Sequence, residues 1–440
     1  AASDVYKRQG SAHAPSTDLF RYLDEAELAG DFQQALTELD LRGKNDLDLN
    51  IKVPLSKGDV RVKGQLALLD NQLNIDSWGL QVDNITGLLN FTENSFDASN
   101  IHASFNKRDV IVNVATSFPE NSESRTRIRA QSSADIASLI KPKSEGLAMQ
   151  FSGDTPFEVL IDIPDKSASS LTITSPLVGT ELKFPHPLDK QAKDKLDFRL
   201  HTGFSGEAAE HIELSLGKRL SALIVVDPDT HLLTSTYAHF GSDHAVRALK
   251  PGELVIGGRL DLLDIDAWKR WYRKNQQAFS KQEGNTTFTS FITDIQVERL
   301  KYSRWQVEDF HVKAASGKNF WDAELGGKGV AGKAEFRAEQ SNMMLDVELE
   351  HLALNKINED AVFEEGEVSE ASRLIPSDLP AANINIDRIT YDGRELGELV
   401  IATDAAASRY KINKMLLTTE ESSLSIKGDW KYVVDENSNK

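Results

Sequence analysis

The chain has 440 residues, enough for a large core, and a formal net charge of −18 from 68 acids and 50 bases. That balance argues against nucleic acid, whose affinity comes from neutralised phosphates, and against simple adsorption to an anionic membrane. Cysteine is absent, which excludes disulfides, thiolate nucleophiles and cysteine metal sites while leaving the redox compartment open.

No run approaches the roughly 20 apolar residues of a spanning helix. The start carries no apolar signal-peptide core either, so the chain is expected to be cytosolic or an internal fragment. Residues 1–16 match no pattern elsewhere and read as a disordered or non-native tail. From Thr17 to Leu39 the apolar spacing predicts a helix interrupted at Gly30. After Gly43 the period changes to two: Leu47, Leu49, Ile51 and Val53 alternate strictly. Lys57-Gly58-Asp59 reads as a hairpin turn, after which Val60, Val62, Gly64, Leu66 and Leu68 alternate again. Val110, Val112 and Val114 mark another strand, and a short helix is predicted at Ala134 to Ile140.

The run FPHPLDK, Phe184 to Lys190, holds two prolines too close for a central strand and reads as a rigid loop. Strands resume after it, and Asp264 to Gln282 is predicted as a helix capped by Asp264 or Asp266. In that helix Trp268, Trp271 and Tyr272 mingle with Lys269, Arg270, Arg273 and Lys274. One reading is a lid whose basic side touches lipid head groups. The plainer one is an amphipathic helix over a sheet face with a solvated basic side. Strands return from Phe288 to Leu354, residues 355–380 form an acidic loop or linker, and 381–440 carry a further β repeat, ending in a hairpin at Leu424 to Tyr432. The segment 17–354 is expected as one continuous β-rich body, with about 30 strands in all and three or four helices, far above average strand content.

Within this, VERLKYSRWQVEDFHVKA (Val297 to Ala314) returns 89 positions later as IDRITYDGRELGELVIAT (Ile386 to Thr403). LQVDNITG repeats it in part, with Leu80, Val82 and Ile85 in the places of Trp305, Val307 and Phe310. The apolar positions step by two, then three, then two. A period of two marks a strand with one apolar face, and the three-step requires a tight turn or a bulge that resets the inward face. The repeated object is therefore a pair of strands.

Catalytic signatures are sparse. Gly327 to Gly332 fits G-x-G-x-x-G, but strand alternation rather than a helix follows it, so a glycine-rich hairpin is expected. Six of the ten histidines fall between His186 and His244 at spacings that place no two on one helix face. No cofactor, metal or catalytic residue is predicted.

FPHPLDK with the following LDFRL, the helix opening LDIDAWKRW, the passage FQQALTELDLRGKNDLDLNIKVPL and the run VRVKGQLALLDNQLNIDSWGLQVDNITGLLNF together resemble the YhdP family, from about Phe32 onward. These are large AsmA-like proteins of the Gram-negative envelope. The resemblance implies a periplasmic, long, curved antiparallel β-sheet with an apolar, taco-like open groove. It also implies an inner-membrane tether and a part in moving phospholipid toward the outer membrane. The family's N-terminal membrane helix and C-terminal portion have no counterpart here, so contact with either membrane would run through parts outside this chain.

Elementary energetics fits such a groove. Covering the roughly 30 methylenes of a two-chain lipid is worth about 25 kcal/mol at about 0.8 per group. A row of strands each offering two or three apolar residues supplies that surface, and some 30 strands at about 4.8 Å would extend it to about 140 Å. The expected lining is Leu47, Leu49, Ile51, Val53, Val60, Val62, Leu66, Leu68, Val110, Val112, Val114, Val307, Phe310, Val312, Leu396, Leu399 and Ile401. The alternative is a structural or interaction protein in which the same residues bury in a closed core against a second layer.

Overall fold

A computed structural model of the chain describes residues 5–16, 18, 40–54, 60–75, 80–120, 122–141, 144–204, 210–227, 230, 232–242, 248–280, 288–339, 342–356, 379–406 and 409–431. It is mainly β, 72% strand and 7% helix, which agrees with the predicted class. The contacts divide the chain into two units. The first comprises Ala1–Lys183 with Lys190–Gly217, the second Phe184–Asp189 with Lys218–Lys440.

The first unit holds β1 (Val5–Pro15), β2 (Asp40–Pro54), β3 (Arg61–Ile75), β4 (Leu80–Thr92), β5 (Phe96–Phe105), β6 (Arg108–Ser117) and β7 (Arg125–Asp135). After two short helices, α1 (Ile136–Ile140) and α2 (Glu145–Ala148), come β8 (Phe151–Ser152), β9 (Asp154–Pro164), β10 (Ser169–Ser175), β11 (Glu181–Leu182), β12 (Phe198–Phe204) and β13 (Glu210–Leu216). Strands β1 to β7, then β9, β10, β12 and β13, pair antiparallel each with the next. β8 and β11 form a separate two-stranded ladder.

The second unit holds β14 (Leu220–Val226), β15 (Leu233–Phe240), β16 (Glu253–Asp264), α3 (Ile265–Ser280), β17 (Ser290–Tyr302), β18 (Trp305–Ser316), β19 (Phe320–Gly327) and β20 (Val330–Glu339). It closes with β21 (Asn342–Lys356), β22 (Ala381–Tyr391), β23 (Arg394–Ala406), β24 (Arg409–Thr418) and β25 (Ser423–Lys431). Neighbours are again consecutive, apart from a short added pairing of β18 with β21, but β15 with β16, β16 with β17 and β21 with β22 run parallel. A parallel join needs a long crossover, and α3 lies in one of them.

Val5–Pro15, read as a tail, pairs along β2; backbone pairing on a free strand edge places little demand on side chains, so no periodicity announces it. The last element is not a hairpin within Leu424 to Tyr432: Ser423–Lys431 is a single strand returning along β24. The helix expected over Thr17–Leu39 and the turn at Lys57 to Asp59 lie outside the described residues, apart from Asp18. So does all of the acidic segment beyond Lys356 up to residue 378. The glycine-rich hairpin is as expected, with Gly327 ending β19 and Val330 opening β20.

The three-step in the repeat is a bulge inside long strands. Asp70, Asn84, Asn100 and Asp309 have φ of 58°, 55°, 56° and 50°, the left-handed region that asparagine and aspartate tolerate best after glycine. Asn84 separates Val82 from Ile85, Asn100 separates Ala98 from Ile101, and Asp309 separates Val307 from Phe310. The ladders slip at the first two positions and again beside Asp70. Each extra residue keeps the next apolar side chain on the face of the last and bends the strand.

Candidate functional site

Alternation within each strand and register between strands together build an apolar face. In the first unit Ile101, Val112, Ala130, Val159, Ile173, Leu200 and Leu214 stand directly opposite one another across seven strands. A parallel row runs through Ala98, Val114, Ile128, Ile161, Leu171, Thr202 and Ile212. At about 4.8 Å per strand such a row extends roughly 29 Å, nearly twice the roughly 15 Å half-thickness of a bilayer's hydrocarbon.

The second unit repeats the construction. Ile295, Val312, Leu325, Gly332, Leu349, Ile386, Leu399, Leu417 and Leu424 are successive partners across nine strands. Beside them run Thr293, Ala314, Ala323, Ala334, Val347, Ile384, Ile401, Met415 and Ile426. The residues next in sequence point the other way and are charged: Asp294, Lys313, Glu324, Lys333 and Glu348 face each other in turn, alternating in sign. Opposite charges placed directly across strands each add a few tenths of a kcal/mol and fix the register.

The apolar rows are only partly hidden. Ile101 and Leu171 are buried, whereas Val112, Val114, Val159, Ile161, Ile173, Leu200 and Leu214 are half-buried. Leu424 and Ile426 are exposed. Both buried clusters draw their side chains from consecutive strands of one sheet. One centres on Leu68, Ile85, Ala98, Ile101, Ala103 and Val110, the other on Val330, Leu349, Ile386 and Ile389. Among the described residues no second layer contributes to either.

The residues expected as lining differ in exposure. Leu47, Val62, Leu68 and Val110 are buried. Leu49, Ile51, Leu66, Val112, Val114, Val307, Phe310, Val312, Leu399 and Ile401 are half-buried. Val53, Val60 and Leu396 are exposed; Val60 precedes β3, and Leu396 adjoins the bulge at Gly397, where φ is 96°. Sequence reading missed Val159, Ile161, Ile173, Leu200 and Leu214. Their alternation was visible, but which strand each would face was not. It missed Ile295, Leu325 and Leu349 for the same reason.

The helix α3 is held at one end of the second unit's strands. The Asp264 carboxylate accepts the Ala267 N–H at 2.7 Å, the expected cap. The Asp266 carboxylate accepts the Ser303 N–H. Trp268 donates its indole N–H to the His186 carbonyl at 3.2 Å, and Trp271 packs on Phe184 with ring centroids 5.5 Å apart. So Trp268 and Trp271, which one of the two sequence readings placed on a lid, seat the helix on the FPHPLDK loop, while Tyr272 is 59% exposed. That loop is pinned in turn: His186 lies 2.8 Å from Asp261 and 3.3 Å from Asp189. Arg219 donates to the Pro187 and Asp189 carbonyls. The hydrogen bond from His186 holds the Asp261 carboxyl below its ordinary value against the opposing effect of burial.

A concavity of about 1170 Å³ in the second unit lies on the charged face, lined among others by Tyr237, His239, Arg259, Asp294, Lys313 and Glu324. The Tyr237 hydroxyl and His239 Nδ1 are 2.9 Å apart there. Charges of both signs make this a place for water or a polar group; desolvating them against a hydrocarbon chain is unfavourable. No group of three or more metal-ligating side chains occurs among the described residues.

Comparison with known families decides what this architecture is. The model of the YhdP family, described as YhdP protein, matches residues 4–440. The chain belongs to the YhdP family. YhdP proteins form a bacterial envelope family, one of transport and not known for enzymatic activity. No curated protein and no solved structure gave a match. Among the described residues of this YhdP chain, no helix is long and apolar enough to cross a membrane.

Proposed function

We propose that this chain is a segment of a non-enzymatic, bridge-like lipid transport protein. Phospholipid acyl chains lie on the apolar rows in the periplasm and pass between inner and outer membranes, with head groups in water. The observation that carries this reading is the set of apolar residues in direct cross-strand register, many of them half-buried, with the charged series Asp294, Lys313, Glu324, Lys333 and Glu348 turned to the opposite face of the second unit. A lipid laid on such a row removes apolar area from water on both partners, at about 25 cal/mol per Å², and neighbouring rows of similar depth let it move without a deep trap. Family membership supports an envelope transport role, and the reading assigns the acyl chain as cargo.

Mass spectrometry of organic extracts from purified protein tests it. Phospholipid should be recovered with the chain, and repeated lipid-free preparations would sink the proposal in favour of a structural β-rich protein. A second test places Asp at the half-buried Val112 or Val312. The charge should cost about 1–3 kcal/mol, leave the strand circular dichroism in place, and sharply reduce bound lipid. Global unfolding by either substitution would indicate a sealed core instead.

A further inference from the structure

The helix α3 carries Lys269, Arg270, Arg273 and Lys274 within six residues, in a chain of net charge −18. All four are exposed. At about 100° per residue they fan across the side of the helix opposite the anchored stripe of Trp268, Trp271 and buried Asn275. Lys269 lies over the Tyr302 ring, its Nζ 4.8 Å from the centroid. Arg270, Arg273 and Lys274 have no acidic partner among the described residues. Elsewhere on the chain bases are commonly matched: Arg108 to Asp154, Arg125 and Arg127 to Asp162, Arg409 to Asp429. Flanking the cations are two exposed tyrosines, Tyr272 at 59% and Tyr302 at 49%, the side chain type that settles at a lipid–water boundary.

We propose that this face of α3 docks the protein on an anionic lipid bilayer surface. The protein side of the helix is already satisfied by the FPHPLDK loop, so contact comes from the cations and tyrosines without unseating it. Charge complementarity sets the orientation, since acidic surfaces elsewhere are repelled and this patch is drawn in. The inference is independent of the acyl-chain pathway: the patch would bind a surface whether or not the apolar rows carry cargo.

Flotation of the full chain with vesicles tests it. One set is phosphatidylcholine with about one-third phosphatidylglycerol, the other phosphatidylcholine alone. The wild type should float with the anionic set only, and raising salt tenfold should release it. At about 1 kcal/mol per cation near such a surface, R270Q/R273Q/K274Q should lower the partition coefficient on the order of 100-fold, whereas R270K/R273K should retain it. Equal binding to both vesicle sets, no binding to the anionic set, undiminished binding of the triple variant, or loss of binding in R270K/R273K would each overturn the proposal. So would saturable binding of monomeric short-chain phosphatidylglycerol without flotation, which would reassign the patch to a single lipid.

Discussion

At single positions the apolar face depends on residues that are not apolar. Asn100 and Asp309 occupy left-handed backbone at φ 56° and 50°, a conformation that costs a β-branched residue about 1–2 kcal/mol. Asn100→Val should therefore lower stability by about that amount in urea unfolding, while Asn100→Gly stays close to wild type. Gly43 is more demanding. Its φ is 144°, and a methyl there would lie 1.6 Å from the Asn71 side-chain oxygen. Asn71 is fully buried beside Asn45, their amides 2.7 Å apart. Gly43→Ala should cost at least about 2 kcal/mol, read as a shifted urea midpoint. The Asp261 carboxyl, held low by His186, adds stability that is present above the unfolded carboxylate value of about 3.9 and is lost as pH falls through the lower folded value. The stability gap between wild type and Asp261→Asn should thus narrow below about pH 4, and a gap unchanged on acidification would count against the His186 contact.

Elements of this chain are hairpins whose turns are set locally and whose strands are bent by bulges. Asn106 and Lys107 join β5 to β6 with φ of 49° and 65°, the two left-handed residues of a type I′ turn, for which Asn-Gly is the best pair. Lys107→Gly should raise the unfolding free energy by about 0.5–1 kcal/mol; no gain would mean that the unfolded chain benefits equally. Alternation made β2, β3 and β6 legible from sequence, and the Asp264 cap marked the start of α3. Partner choice was not legible. Nothing in β15, β16 or β17 announces parallel pairing, because the residues that read as antiparallel neighbours serve equally on either side of a parallel one.

On the scale of the molecule, each unit is built by adding strands to neighbours, so disturbance should stay local. Ala334→Asp, in the buried centre of the second unit's row, should speed amide exchange in β19, β20 and β21 and leave β5 to β7 protected. Loss of protection in both regions together would show a single cooperative body. Strand content, the two-three-two apolar rhythm, the absence of thiol chemistry and the family likeness were all legible in the chain, because they follow from side-chain type and local spacing. That Ile101, Val112, Ala130 and Val159 share a row, that Asp294 meets Lys313, and that Trp268 seats its helix on His186 emerges from the folded chain alone. Register and long-range contact are set by the summed burial of distant segments, a quantity that no local stretch of the chain contains.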